Sequence, residues 1–416
     1  MNLTITPTRL KGSVTPPPSK SQAHRLIIAA ALAAGESVLT NVAYSQDIEA
    51  TLSCMEVLGA QSSRGEGTLT IVGIGDRRTT TSSCMADAIH FDCGESGSTL
   101  RFLIPIALAA AGGGFFTGRG RLLARPQQPY ADLFAEKGIF FHHSPNAISL
   151  RGTLEPGTYA LPGNVSSQFV TGLLYALPLL AGDSVVELTT PLESRGYVDM
   201  TLQALEQFGV IIETEGSRRY RVPGGQRYRA GQAEVEADWS QAGFYYAALA
   251  LGNELELEGL NAFSAQGDMA VVPAWMKLRG LGTVELDVSN IPDLVPALAL
   301  QAALRTGQIT RLVNAARLRI KESDRLASVT QVLNALGADV EEHADHLVLR
   351  GRERLAGGVT VSGHNDHRIA MMAAVSAAFC REPVELLGAE CVNKSYPGFW
   401  EDYRQLGGDL DVLISG

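Results

Sequence analysis

The residues of this 416-residue chain that could do chemistry gather in short phrases. SKSQAHR carries Ser19, Lys20, Ser21, His24 and Arg25. FDCGESGSTLR carries Gly97 and Arg101, LLARP carries Arg125, and NVSSQ carries Ser166, Ser167 and Gln168. SRGYVD holds Ser194 and Tyr197, SNIPD holds Asp293, and KESDR holds Lys321, Glu322 and Arg325. GHNDHR and VNKSYPG add Arg368 and Lys394. Each phrase stands just before a helix-like run. Two kinds of chemistry fit that position. Ser, Asp and Asn there cap free backbone N–H groups, and capping predicts roles for Asp47, Asp199, Asp238 and Asp324. Capping does not account for the cations, because the positive end of the helix macrodipole disfavours Lys and Arg. A cation placed there repeatedly points to an anion held between side chain and helix end, the arrangement of a phosphate or carboxylate site.

The elements that must hold these phrases repeat. Six Ala-rich, almost wholly apolar segments read as buried helices, from AHRLIIAAALAAG to DHRIAMMAAVSAAF. Six amphipathic segments end in glycine, five of them directly after an apolar residue, at Gly59, Gly138, Gly209, Gly282, Gly337 and Gly407. The glycines recur roughly every 70 residues, with one interval near 55 between Gly282 and Gly337, as expected of a repeat architecture. TLTIVG, AISLRG, RYRVPGG and HLVLRG read as returning hairpin strands, and the short interval lacks one. Each unit is therefore predicted to run buried helix, strand, amphipathic helix, strand, often strand. Six units divide into two domains of three, with GSVTPPPSK and VPGGQRYRAGQAEVEADWS as the crossing segments.

Composition narrows the class. A net charge of −10 argues against nucleic-acid or anionic-membrane partners, yet leaves room for a local cationic cleft. The five cysteines, Cys54, Cys84, Cys93, Cys380 and Cys391, lack CxxC spacing, so neither a disulfide framework nor a zinc site is expected. His364 and His367 have no thiolate or carboxylate set that would make a metal site with them. The N-terminal stretch has no basic segment followed by an apolar run, so no signal peptide is expected. The apolar runs are about half the length of a membrane span. A cytoplasmic protein is expected.

PPSKSQAHR, DCGESGSTLR, VSSQF, IPD, KESDR and NDHRIAM, in this order and spacing, resemble the 5-enolpyruvylshikimate-3-phosphate synthase family, over essentially the whole chain. The resemblance implies an α/β fold of two domains, each of three βαβαββ repeats with helices inside and sheets outside, an inside-out α/β barrel. The implied domains are 20–234 and 1–19 plus 235–416, with the active site in the cleft between them. The implied reaction moves the enolpyruvyl group of phosphoenolpyruvate to the 5-hydroxyl of shikimate 3-phosphate and releases phosphate. It belongs to the shikimate route to chorismate. No metal or organic cofactor and no partner beyond the two substrates is implied, and a monomer is expected.

Family roles carried onto matching positions place Lys20, Ser21, Arg25, Ser166, Ser167, Gln168, Ser194, Tyr197, Asp293 and Lys321 on shikimate 3-phosphate. Phosphoenolpyruvate falls to Lys20, Gly97, Arg125, Gln168, Arg325, Arg368 and Lys394. Asp293, Glu322 and Lys20 are the implied catalytic groups. Asp293 is the candidate proton acceptor for the 5-hydroxyl, while Glu322 and Lys20 are candidates for proton exchange at the methylene. Glu95, Phe102 and Arg317 depart from the family pattern, and the segment from Glu95 to Phe102 lines the pocket where glyphosate competes in the family.

Two alternatives stand beside this reading. The UDP-N-acetylglucosamine enolpyruvyl transferases share the repeat fold but carry a reactive Cys on a loop, and TGRGRLLARPQQP has none. A non-catalytic anion-binding relative gains nothing from carboxylates such as Asp293 and Glu322.

Overall fold

Periodicity alternates along the chain between helices apolar on every face and helices apolar on one. A computed structural model describes residues 1–75 and 89–413. In chain order the helices are α1 (Lys20–Leu32), α2 (Gln46–Val57), α3 (Gly97–Ala111), α4 (Gln128–Glu136), α5 (Ser167–Ala176), α6 (Arg195–Gln207), α7 (Trp239–Ala250), α8 (Val271–Leu278), α9 (Val295–Ala303), α10 (Arg325–Ala335), α11 (His367–Ala377) and α12 (Phe399–Gln405). The odd-numbered set is the Ala-rich one. Every residue of α9 and of α11 is buried, which only an all-apolar or internally satisfied helix tolerates. The even-numbered helices bury one stripe, as α6 does with Val198, Thr201, Ala204 and Leu205. Cys54, Cys93, Cys380 and Cys391 are buried free thiols, and Cys84 lies outside the described residues.

The chain forms two compact units, residues 18–236 and residues 1–17 plus 237–416. In the first, three four-stranded sheets share one plan. His90–Asp92 runs parallel to Gly113–Thr117, which pairs antiparallel with Ile148–Arg151 and through it with Phe140–His143. Thr158–Leu161, Ser184–Leu188, Arg219–Val222 and Glu213–Glu215 repeat that order. The third sheet takes its outer parallel strand, Gln232–Glu234, from the far end of the unit and lays it beside Ala34–Thr40. Thr68–Ile74 and Gln61–Arg64 complete it.

The second unit has two such sheets and a shorter pair. Val284–Asp287, Ile309–Val313, Leu347–Arg350 and Val340–Glu342 form one. Thr360–Ser362, Val384–Leu387, Asn2–Thr6 and Asp409–Leu413 form the other. Glu254–Leu257 pairs in parallel with Lys11–Val14 alone. After Gly282 the chain enters Val284–Asp287 directly, so this is the repeat without a hairpin, and it accounts for the short glycine interval. Gly337 shows why glycine closes these helices: its φ of +99° lies in the region closed to side chains bearing a Cβ.

Parallel neighbours need a crossover between them. α3, α5, α9 and α11 each supply one, entering straight after the outer parallel strand of their sheet. The N-termini of the buried helices therefore stand at the carboxyl ends of parallel strands, the position where open α/β sheets collect ligands. The polar phrases occupy that position.

Candidate active site

In the unit of residues 1–17 and 237–416 the phrases SNIPD, KESDR, GHNDHR and ADWSQ meet. Arg325 opens α10 and is 1% exposed. Its guanidinium reaches three carboxylates: Nη1 to Asp293 Oδ1 at 2.7 Å, Nη2 to Glu322 Oε2 at 2.7 Å, and Nε to Asp366 Oδ2 at 2.8 Å. Arg368, in the first turn of α11, donates through Nη2 to Asp293 Oδ2 at 3.0 Å and to Ser240 Oγ at 2.9 Å. Lys321 Nζ stands 3.5 Å from Asp293 Oδ1. Asp366 is fully buried and also caps α11, accepting from the Arg368 amide at 3.0 Å. Lys394 is buried and donates to the Asn365 carbonyl at 2.7 Å. Asn365 and His364 both have left-handed φ values of 52°, and that turn aims the carbonyl.

The electrostatics follow from this packing. Burial pushes Asp293 up, but Arg368, Lys321 and Arg325 outweigh it and hold the carboxyl well below the usual carboxylate range. Burial pushes Lys321 down to about 8, with Asp293 opposing and the neighbouring arginines Arg325 and Arg317 adding to the fall. Burial also disfavours the Arg325 cation, yet Asp366, Glu322 and Asp293 hold it well above the ordinary guanidinium value. Arg317, where the sequence departs from the family pattern, donates to the Ser289 carbonyl at 2.6 Å, on the segment that leads to Asp293.

In the unit of residues 18–236, Lys20 is the first residue of α1, and its Nζ lies 2.7 Å from Asp47 Oδ2 on α2. Arg25 is 2% exposed. It donates from Nε to Thr201 Oγ1 at 2.9 Å, from Nη1 to the Ser21 carbonyl at 2.6 Å, and from Nη2 to the Tyr197 carbonyl at 2.8 Å. Those acceptors are neutral, so burial pushes Arg25 down to about 10, with Tyr175 and Tyr197 opposing. Arg101 donates to Gln168 Oε1 at 2.8 Å, and Gln168 Nε2 donates to Ser98 Oγ at 3.0 Å, which fixes the Gln168 amide. The Arg125 guanidinium lies against the backbone of Gly97: a Cβ there would stand 2.6 Å from its Nη1. Ser166 caps α5, and Ser167 opens it. Ser194 precedes α6 with a φ of 57°.

Two capping expectations are corrected. Asp238 and Asp324 do cap α7 and α10. Asp47 instead sits in the first turn of α2, behind the N-cap residue Ser45, and answers Lys20. Asp199 lies inside α6 and pairs with Arg195 four residues earlier. Sequence reasoning also missed Asp366, Ser240 and Thr201 as partners of the cations. The one signal for Asp366 is its place just before α11 in GHNDHR. Among the described residues no group of three or more His, Cys, Asp or Glu side chains could hold a metal ion.

Comparison with known proteins gives these phrases a context. A 3-phosphoshikimate 1-carboxyvinyltransferase of Clostridium beijerinckii is 43% identical over 428 residues, covering 99% of this chain and 98% of that one. One from Clostridium kluyveri is 44% identical over 434 residues, covering 100% and 99%. Among solved structures, an EPSP synthase of Acinetobacter baumannii superposes with a TM-score of 0.80 at 25% identity, covering 99% of this chain and all of that one. The enolpyruvyl transferase NikO of Streptomyces tendae shares the fold, with a TM-score of 0.79 at 17% identity. The family model described as EPSP synthase (3-phosphoshikimate 1-carboxyvinyltransferase) matches residues 5–403, and with that span and those relatives this chain belongs to the EPSP synthase family of transferases.

Proposed function

We propose that the protein transfers the enolpyruvyl group of phosphoenolpyruvate to the 5-hydroxyl of shikimate 3-phosphate and releases phosphate. The observation that carries this reading is the Asp293 carboxylate, held by Lys321, Arg325 and Arg368 at 3.5, 2.7 and 3.0 Å. A carboxylate among three cations is a pair of tools: charge to bind a dianion and a base beside it. In the resting arrangement the cations make Asp293 a weak base. When the carboxylate and phosphate of phosphoenolpyruvate share Arg325, Arg368 and Lys394, part of that charge is spent on the ligand and Asp293 regains basicity.

The proposed addition then proceeds with Asp293 taking the 5-hydroxyl proton as the 5-oxygen of shikimate 3-phosphate bonds to C2 of phosphoenolpyruvate. The methylene carbon gains a proton from Glu322 or Lys20, giving a tetrahedral ketal. Elimination returns that proton and breaks the bond from C2 to the phosphate oxygen. Lys20, Ser21, Arg25, Ser166, Ser167, Gln168, Ser194, Tyr197 and Lys321 take shikimate 3-phosphate; Gly97 and Arg125 join the phosphoenolpyruvate set. These residues are divided between the two units, so the chemistry draws on both. The same reading takes each unit as three βαβαββ repeats with helices inside, the domains as 20–234 and 1–19 plus 235–416, and the protein as a cytoplasmic monomer. No described helix is long and apolar enough to cross a membrane.

The test is phosphate release by the purified chain. Shikimate 3-phosphate with phosphoenolpyruvate is compared with each substrate alone and with UDP-N-acetylglucosamine as acceptor. Release that requires shikimate 3-phosphate is the expected result. Release with the nucleotide sugar instead overturns the reading.

A further inference from the structure

His24 is the one titratable residue of SKSQAHR that the proposed chemistry leaves unused. It is fully buried on α1, one turn beyond Lys20. Its Nδ1 lies 2.7 Å from Thr51 Oγ1 on α2, one turn beyond Asp47. Thr51 Oγ1 lies 2.6 Å from Thr99 Oγ1 on α3. Thr99 Oγ1 donates to Ser96 Oγ at 2.7 Å, and the Thr99 amide donates to the same oxygen at 3.1 Å. Ser96 is the N-cap of α3 and immediately precedes Gly97.

The directions of these bonds can be worked out from the Ser96 end. Each hydroxyl has a single proton to give. Thr99 gives its proton to Ser96, so it accepts from Thr51. Thr51 has then given its proton to Thr99 and must accept from His24. His24 is therefore the Nδ1–H tautomer, and its Nε2, buried without a hydrogen-bond partner, carries a lone pair and no proton. Burial, with Lys20 and Arg25 adding, holds the ring well below the usual imidazole value, so it stays neutral.

Between α1 and α2 there are thus two rungs one turn apart, Lys20 to Asp47 and His24 to Thr51. The second rung continues through Thr99 to the cap beside Gly97. We propose that His24, as a neutral Nδ1–H donor, is a positioning residue that sets where Lys20 stands relative to the N-terminus of α3, where Gly97 meets Arg125. The inference rests on the proposed function, since Lys20, Gly97 and Arg125 matter together only if phosphoenolpyruvate binds there.

The test opposes packing to hydrogen bonding. His24→Leu fills the ring's space but removes the donor. His24→Asn leaves a void but keeps an N–H near the Nδ1 position. Thermal stability is expected to rank Leu above Asn, whereas kcat/KM for phosphoenolpyruvate ranks Asn above Leu by about tenfold or more, the scale of a small misplacement of reacting groups. Thr51→Val, which keeps the shape, is expected to show the same loss, and Thr51→Ser to recover most of it. Activity that follows stability, or full activity in Thr51→Val, overturns the proposal. If His24→Leu does not fold, the Thr51 pair decides. If the unaltered protein releases no phosphate with both substrates, the proposed function fails separately. The inference is then judged by the 15N shifts of selectively labelled histidine, where a protonated Nε2 on His24 overturns it.

Discussion

Arg25 and Arg325 are both buried guanidinium groups near the entrance of a helix, one in each unit, and their surroundings differ in kind. Arg325 gives its donors to three carboxylates, and the six groups Lys321, Arg325, Arg368, Asp293, Glu322 and Asp366 balance in charge. Arg25 gives its donors to two carbonyls and a hydroxyl, and its charge is left standing. Guanidinium has five N–H groups, and these bonds engage three of those on Arg25. One buried arginine is thus an internal strut, and the other an open positive charge with donors to spare. The anion-binding argument drawn from the sequence applies to Arg25 as it stands. For Arg325 it needs amendment, because the anions nearest that cation belong to the protein.

The contrast is sharpest where it can be broken. Arg325→Met leaves Asp366 and Asp293 without their shared cation, and a loss of about 3–5 kcal/mol of unfolding free energy is expected in urea titration. Asp293→Asn keeps the shape but removes the proposed proton acceptor; turnover should fall about 10²- to 10³-fold, with the dissociation constant of phosphoenolpyruvate little changed by calorimetry. Unchanged turnover removes Asp293 from the base role. Arg25→Met strands only neutral acceptors, so its cost in the same urea titration should be nearer 1–3 kcal/mol, alongside weakened shikimate 3-phosphate binding.

Acid gives a fourth, graded probe. Asp293 and Asp366 have folded values below the ordinary carboxylate range. Their contribution to stability is therefore complete above about pH 4 and is lost as the pH falls through the folded values. The urea midpoint measured from pH 6 to pH 3 should drop less steeply in Asp293→Asn. The smallest effect is expected from Gly97→Ala, whose Cβ must displace the far end of Arg125 by a few tenths of an ångström or more. KM for phosphoenolpyruvate should rise several-fold with the melting temperature unchanged.

Much of the helical scaffold was legible because its signals are local. A helix apolar on all faces has one place to go, and glycine past its amphipathic partner marks the turn into the next strand; Gly59 and Gly337 both carry the positive φ this requires. Returning hairpin strands such as Leu347–Arg350, which pairs with Val340–Glu342, were readable from alternation. The partners of the cations were not. Asp47 looks like a cap until α1 is known to lie beside α2, and the pairing of Asp366 with Arg325 spans 41 residues of sequence. Nor could spacing tell which of two buried arginines would find carboxylates. Ion pairs of this kind are facts of packing, and packing is where one sequence read alone has least to say.

The strand Asn2–Thr6 pairs with Asp409–Leu413, the register joining Asn2 to Leu413. During synthesis from the N-terminus, Asn2–Thr6 must wait for Asp409–Leu413. Residues 18–236 can finish their three sheets while the ribosome is still reading the remainder, whereas residues 2–6 stay without their neighbours for on the order of tens of seconds. So large a sequence separation makes closing that sheet a slow, late event. The order of assembly is set by topology: the unit with the open arginine can form first, and the unit with the balanced network closes its sheet only when Val384–Leu387 and Asp409–Leu413 have been made.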